Sequence, residues 1–89
     1  MAIIQHVQPD RGEALDRFTV TLSGDTMTGV TGASFGVGVT VLRVQVFTDG
    51  DVRVKIEIDE TAKPGLRDVA VTGPAASDQY VLRDGFTVL

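Results

Sequence analysis

The sequence predicts an all-β protein, a Greek-key β-sandwich of seven or eight short strands that holds together without a disulfide. Apolar and polar residues alternate with a period of two along much of the chain, and no segment shows the 3.6-residue period of an amphipathic helix. Turn residues recur roughly every 8 to 12 positions, a spacing typical of sandwiches. Because the chain contains no cysteine, packing alone must stabilise this fold.

The clearest strand covers residues 52–59, whose even positions are all β-branched and whose odd positions are all charged. One face of this strand should therefore pack on the core while the other faces water. The preceding Thr48-Asp49-Gly50-Asp51 predicts a hairpin turn, with residues 42–47 as the partner strand. Apolar residues occupy odd positions from 35 to 41 but even positions from 42 to 46, so we expect a β-bulge near Val41 and Leu42.

The rest of the chain supplies further short strands separated by turn residues. Strands are predicted at residues 4–7, 18–24, 69–73, 80–82 and 86–89, and turns at residues 9–12, at Pro64-Gly65 and at Asp84-Gly85. Residues 25–37 are the least determined segment, because their glycines and threonines permit a loop, a short strand or both.

The order of these pieces resembles the IPT/TIG family of immunoglobulin-like domains. The matching features are the Pro9-x-x-Gly12 turn, the strand Thr19-Val20-Thr21-Leu22-Ser23-Gly24, the Pro64-Gly65 turn into Val69-Ala70-Val71-Thr72-Gly73, and the terminal Asp84-Gly85-Phe86-Thr87-Val88. The resemblance covers nearly the whole chain and implies a single immunoglobulin-like domain over residues 1–89. It also implies a non-catalytic role, since such domains act as spacers in starch-processing enzymes and as parts of DNA-binding transcription factors.

Length and charge narrow the class of partner. A chain of 89 residues is too short for two cores, so one domain is expected. Twelve acidic residues against eight scattered basic ones give a net charge of -4, which argues against nucleic acid as a partner. No apolar run is long enough for a membrane span. A protein partner or larger assembly is therefore predicted, with a homo-oligomer left open and a glycan weakly supported.

The N-terminus has no basic and apolar leader, because Met1-Ala2 runs directly into strand residues. Two origins fit this feature: a complete protein that reaches its destination without the general secretory route, or a domain excised from a longer surface protein. Localisation is accordingly left open.

No residue pattern predicts catalysis, a cofactor or a metal site. The one histidine, His6, lies in a predicted strand without a nucleophile placed beside it, so an exposed or edge position is expected. Asp49-Gly50-Asp51 and Asp59-Glu60 could contribute oxygen ligands to Ca²⁺, but acidic residues around a glycine are more often simply turn residues. We therefore predict that the chain is not an enzyme.

The predicted partner-binding residues are those that the core pattern leaves unexplained: Asp25, Thr26, Met27, Thr28 and Phe35. The alternative is that residues 30–35 form a core strand and residues 25–29 its solvated turn. If the segment binds a partner, replacing Thr26-Met27-Thr28 with Gly-Ser-Gly should weaken binding and leave thermal stability nearly unchanged.

Three functions fit these observations. The leading prediction is a structural or interaction module, most concretely a decoration or accessory subunit of a larger assembly such as a virion or injection particle. The alternatives are a spacer or adhesion domain of a large surface or secreted protein, and an accessory glycan-binding domain of a polysaccharide-processing enzyme.

Overall fold

The computed structural model describes residues 1–89 and contains eight strands with one short 3-10 helix at Ala76–Asp78. The strands are β1 (Ile3–Gln8), β2 (Arg11–Gly12), β3 (Arg17–Asp25), β4 (Gly32–Ser34), β5 (Val39–Thr48), β6 (Asp51–Ile58), β7 (Gly65–Thr72) and β8 (Tyr80–Val88). The predicted all-β sandwich is confirmed.

The strands form two four-stranded sheets. The first sheet has the order β1-β3-β6-β5, and the second has the order β2-β8-β7-β4. All neighbouring strands are antiparallel except β2, which runs parallel to the end of β8. Only β5–β6 and β7–β8 are consecutive strands that also pair, so the other connections cross from one sheet to the other.

The core lies between the sheets and is built by the alternation seen in the sequence. Strand β6 buries Val52, Val54, Ile56 and Ile58, and its residues between them face outward, which confirms the predicted orientation of this strand. The ring of Phe86 from β8 meets that of Phe35 edge-on, with 5.3 Å between centroids. No polar or charged side chain is buried, so apolar packing dominates the stability of the sandwich.

The predicted bulge in β5 is also confirmed. The pairing of β5 with β6 shifts between Val41 and Arg43, where Leu42 is the extra residue, and again between Val46 and Thr48, where Phe47 is the extra residue. Because a bulge adds one unpaired residue, the side chains that face the core have odd numbers before it and even numbers after it. Val41, Val44 and Val46 can therefore all pack against the core.

Three predicted turns differ from the structure, the first at Pro64-Gly65, where Pro64 lies in a bend but Gly65 already begins β7. Residues 9–12 do not form a simple turn, since Arg11–Gly12 pairs with the end of β8 as strand β2. The predicted turn at Asp84-Gly85 is wrong, because β8 runs without interruption through both residues. Asp84 has a φ of 56° at an irregularity of the ladder, where its N–H donates to the Asp68 carboxylate at 2.9 Å. The Asp68 side chain, on β7, thus accepts a hydrogen bond from a backbone N–H that has no partner in the strand pairing.

Arg67 connects two loops at one end of the sandwich through hydrogen bonds. The Arg67 guanidinium donates to the backbone carbonyl of Val37 at 2.8 Å and to that of Lys63 at 2.6 Å. These carbonyls belong to the β4–β5 and β6–β7 connections. Arg67 therefore fixes two loops to each other by charge-assisted hydrogen bonds.

Candidate interaction surface

The segment predicted to bind a partner is divided between core and surface. Met27 and Phe35 are both fully buried, so their side chains belong to the core and cannot contact a partner in this fold. Asp25, Thr26 and Thr28 are exposed. Of the five predicted residues, only these three remain able to form a surface.

The exposed part of this segment is held by Asp49 in the β5–β6 turn. The Asp49 carboxylate accepts hydrogen bonds from the Thr28 hydroxyl, from the Thr26 N–H at 3.2 Å and from the Thr28 N–H at 3.3 Å. The Met27 N–H donates to the Asp49 carbonyl at 2.9 Å. The Thr28 hydroxyl and, against a smaller opposing effect of burial, the N–H groups of Thr28 and Thr26 lower the pKa of Asp49, because each of these bonds favours the ionised carboxylate.

Three of the four acidic residues weighed as Ca²⁺ ligands, Asp49, Asp51 and Asp59, have other partners. Asp51 pairs with Arg53 at 3.4 Å, and Asp59 accepts a hydrogen bond from the Thr40 hydroxyl at 3.3 Å. No three acidic or histidine side chains converge to hold a metal ion. His6 is exposed on the edge strand β1, as predicted.

A second surface, which the sequence did not single out, covers the outer face of the first sheet. The side chains of β3, β5 and β6 that point away from the core form two neighbouring rows: Thr19, Lys55 and Arg43 in one, and Thr21, Arg53 and Gln45 in the other. Arg17 lies beyond the first row, opposite Glu57. We call Arg17, Arg43, Arg53 and Lys55, with Thr19, Gln45 and Phe47 between them, the basic face.

The basic face contains cations that have no acidic partner. Arg17 pairs with Glu57 at 2.6 Å and Arg53 with Asp51, but Arg43 and Lys55 form no salt bridge. These two cations stand directly opposite each other on β5 and β6. Like charges in this position destabilise a sheet by a few tenths to about 1 kcal/mol. Four of the eight basic residues thus lie on one face of an acidic protein.

An aromatic ring borders this cluster. The Arg53 guanidinium lies over the ring of Phe47, 4.1 Å from its centroid, in a cation–π contact. Phe47 is still 49% exposed. Thr19, Arg43, Gln45, Phe47, Arg53 and Lys55 line a shallow groove of about 400 Å³. The second β5 bulge places Phe47 here, since it is the residue that the ladder skips.

Sequence reasoning missed the basic face because its cations are far apart in the chain. Alternation alone places Arg53 and Lys55 on the solvent side of β6. The register of β5, which depends on a bulge, is required to bring Arg43 opposite Lys55. The predicted hairpin could have indicated this surface, because its first strand contains Arg43 and its second contains Arg53 and Lys55.

No helix in the chain has the length and apolar character that crossing a bilayer would require. No protein-family model matches the chain, and a comparison with curated proteins finds no match.

Proposed function

We propose that this chain is a non-catalytic structural and interaction module with an immunoglobulin-like fold, used as a decoration or accessory subunit of a larger assembly such as a virion or injection particle. The observation that carries this proposal is the basic face, where Arg43 and Lys55 oppose each other without an acidic partner. A surface that repels itself in the free protein is stabilised when a partner supplies carboxylates.

The strand order supports the immunoglobulin-like part of the proposal. Constant-type immunoglobulin domains have a sheet of their first, second, fifth and fourth strands facing a sheet of their third, sixth and seventh strands. When the short β2 is set aside, the two sheets of this chain have that same arrangement. The resemblance of its motifs to IPT/TIG domains points the same way. Domains of this architecture commonly bind through faces and loops, which is an analogy at the level of fold.

A glycan-binding role is the second candidate, and the groove beside Phe47 is what favours it. Thr19 and Gln45 could donate hydrogen bonds to sugar hydroxyls there. Arg53 already covers one face of the Phe47 ring, which reduces the area on which a sugar could stack. We therefore place this role behind the protein-binding one.

The proposed function is tested by incorporation into particles of the native source. Wild-type protein and the double variant R43E/K55E would be expressed there, and the fraction sedimenting with particles would be measured. The matched control is K63E/R83E, which changes the net charge equally but lies outside the first sheet. We expect wild type and K63E/R83E to sediment with the particles and R43E/K55E to remain largely free. Wild-type protein found only as a free small species would contradict the proposal.

A further inference from the structure

We propose that the basic face binds an extended, acidic segment of a partner protein, with the partner's carboxylates on Arg43 and Lys55. This inference rests on the proposed interaction function and specifies the chemistry of its partner. It depends on three properties of the basic face: the spacing of its cations, its limited extent and the shape of the β5 edge.

The spacing of the cations matches that of alternate side chains in an extended peptide. Lys55 and Arg53 are two residues apart on one strand and face the same side, with Lys55 unpaired and Arg53 in a 3.4 Å pair with Asp51 that a partner's carboxylate would have to share. Same-face side chains of any strand repeat about every 6.6 Å, so Asp or Glu at alternate positions of an extended peptide has the same repeat. Arg43, opposite Lys55 at about 5 Å, adds a second cation to one end of this row.

The limited extent of the basic face favours a peptide over a polynucleotide. The face offers four cations, two of which already have carboxylate partners, and the chain as a whole has a net charge of -4. A nucleic acid long enough to bind tightly would extend beyond the cations and be repelled by the rest of the surface. A short segment with two or three carboxylates needs only the groove of about 400 Å³.

The shape of the edge strand favours binding on the face over addition of a new strand. β5 is the edge strand of the first sheet that borders the basic face, and it has bulges on both sides of residues 43–46. Bulges interrupt the regular ladder that strand addition requires. They also direct side chains: the first bulge comes just before Arg43, and Phe47 is the extra residue of the second. The recognition chemistry therefore comes from side chains, with charge-assisted hydrogen bonds from Arg43 and Lys55 to carboxylates.

The test is a titration of the isotopically labelled full chain, followed by backbone amide NMR shifts. The probe is a synthetic peptide of alternating Glu and Thr, capped at both ends, and the comparison probes are a Lys-Thr peptide of equal length, single-stranded oligothymidylate and polygalacturonate. The protein variants are R43E/K55E and the matched K63E/R83E. Thermal melting of both variants confirms that each is folded before the titration.

We expect the Glu-Thr peptide to shift the amides of residues 43–47 and 53–55, and to bind R43E/K55E about tenfold or more weakly while binding K63E/R83E like wild type. Tighter binding of oligothymidylate or polygalacturonate than of the peptide would overturn the acidic-peptide assignment. Self-association at low salt that R43E/K55E abolishes would also overturn it, in favour of a second copy of this chain. Loss of peptide binding when alternate peptide nitrogens are methylated would overturn side-chain recognition in favour of strand addition.

The proposed function and the acidic-segment inference can be contradicted independently of each other. Particle incorporation that requires Arg43 and Lys55, without binding of the peptide, would contradict only the acidic-segment inference. Peptide binding by a chain that never enters particles would contradict only the proposed function.

Discussion

Asp49 links two parts of the chain that are more than twenty residues apart in sequence. Its carboxylate accepts from Thr26 and Thr28, and its carbonyl accepts from Met27, so the β3–β4 connection rests on the β5–β6 turn. The sequence pattern identified Asp49 as a turn residue or an alternative Ca²⁺ ligand. Its observed role is to satisfy the backbone of a neighbouring loop, as acidic turn residues commonly do.

Asp49→Asn should destabilise the protein at neutral pH but not in acid. The folded state lowers the pKa of Asp49, chiefly through the Thr28 hydroxyl, so the stabilisation is present above the ordinary value of 3.8 and is lost as the pH falls through the folded-state pKa. Urea unfolding at pH 7 and well below pH 3.8 measures this difference. Glu60→Gln, at an exposed position, is the control. An equal deficit for Asp49→Asn at both pH values would show that the charge of Asp49 has no part in it.

Neighbouring residues of β6 have opposite environments. Ile56 is fully buried and Lys55 is exposed, although they are adjacent in the chain. The consequences of introducing a carboxylate at these two positions should therefore differ sharply.

We expect Ile56→Asp to unfold the domain and Lys55→Glu to melt close to wild type. Burying an unpaired carboxylate costs several kcal/mol, against a total stability of about 5 to 15 kcal/mol for a small domain. At position 55 the new carboxylate would face Arg43 across the sheet and relieve a like-charge contact. Thermal melting followed by circular dichroism separates the two variants. Equal melting temperatures would contradict the observed orientation of β6.

At the scale of elements, the β3–β4 connection is part of the core as well as a turn. Met27 and Val30 are buried, and β4 contributes only Gly32–Ser34 before Phe35 enters the core. The alternative of a core strand at residues 30–35 with a turn at 25–29 is met in part, because the strand is limited to Gly32–Ser34 and the buried residues Val30 and Phe35 lie on either side of it. It differs in that Met27, from within the turn, also packs inside.

The burial of Met27 reverses the expectation that the Gly-Ser-Gly replacement leaves thermal stability nearly unchanged. Replacing Thr26-Met27-Thr28 with Gly-Ser-Gly should lower the melting temperature substantially, because removing a buried methionine side chain costs about 2 to 5 kcal/mol. Met27→Leu, which nearly conserves volume, should cost less than about 1.5 kcal/mol and is the matched control. Differential scanning calorimetry of both variants tests the point. A Gly-Ser-Gly variant that melts with wild type would mean that Met27 is not part of the core in solution.

At the scale of the whole molecule, charge is distributed unevenly between surfaces. Half of the basic residues lie on the outer face of the first sheet, although the protein is acidic overall. The outer face of the second sheet instead exposes the apolar Leu66 and Val81. The two faces of the sandwich therefore expose different side chains, and the acidic partner proposed above would bind the basic face.

The sequence by itself determined the class of fold and much of the first sheet. The period-two alternation fixed the orientation of β6, and the change of parity at Val41 and Leu42 located the first bulge, because these are local properties of a strand with one buried face. Because the chain has no cysteine, no disulfide can stabilise the fold, and packing must do so. The sequence did not determine that Asp84-Gly85 continues a strand, since a dipeptide typical of turns also fits an irregular ladder.

Only the tertiary structure decided which residues form a surface. Met27 lies in a segment that the sequence left open between a loop and a short strand; in the structure it is buried, and the distant carboxylate of Asp49 accepts hydrogen bonds from the backbone on either side of it. Arg43 and Lys55 became neighbours only when β5 and β6 paired in one register. Burial of a loop residue and clustering of charges depend on contacts between residues that are far apart in the chain. A sequence pattern reports only on residues that are close together in the chain, so it could not predict either feature.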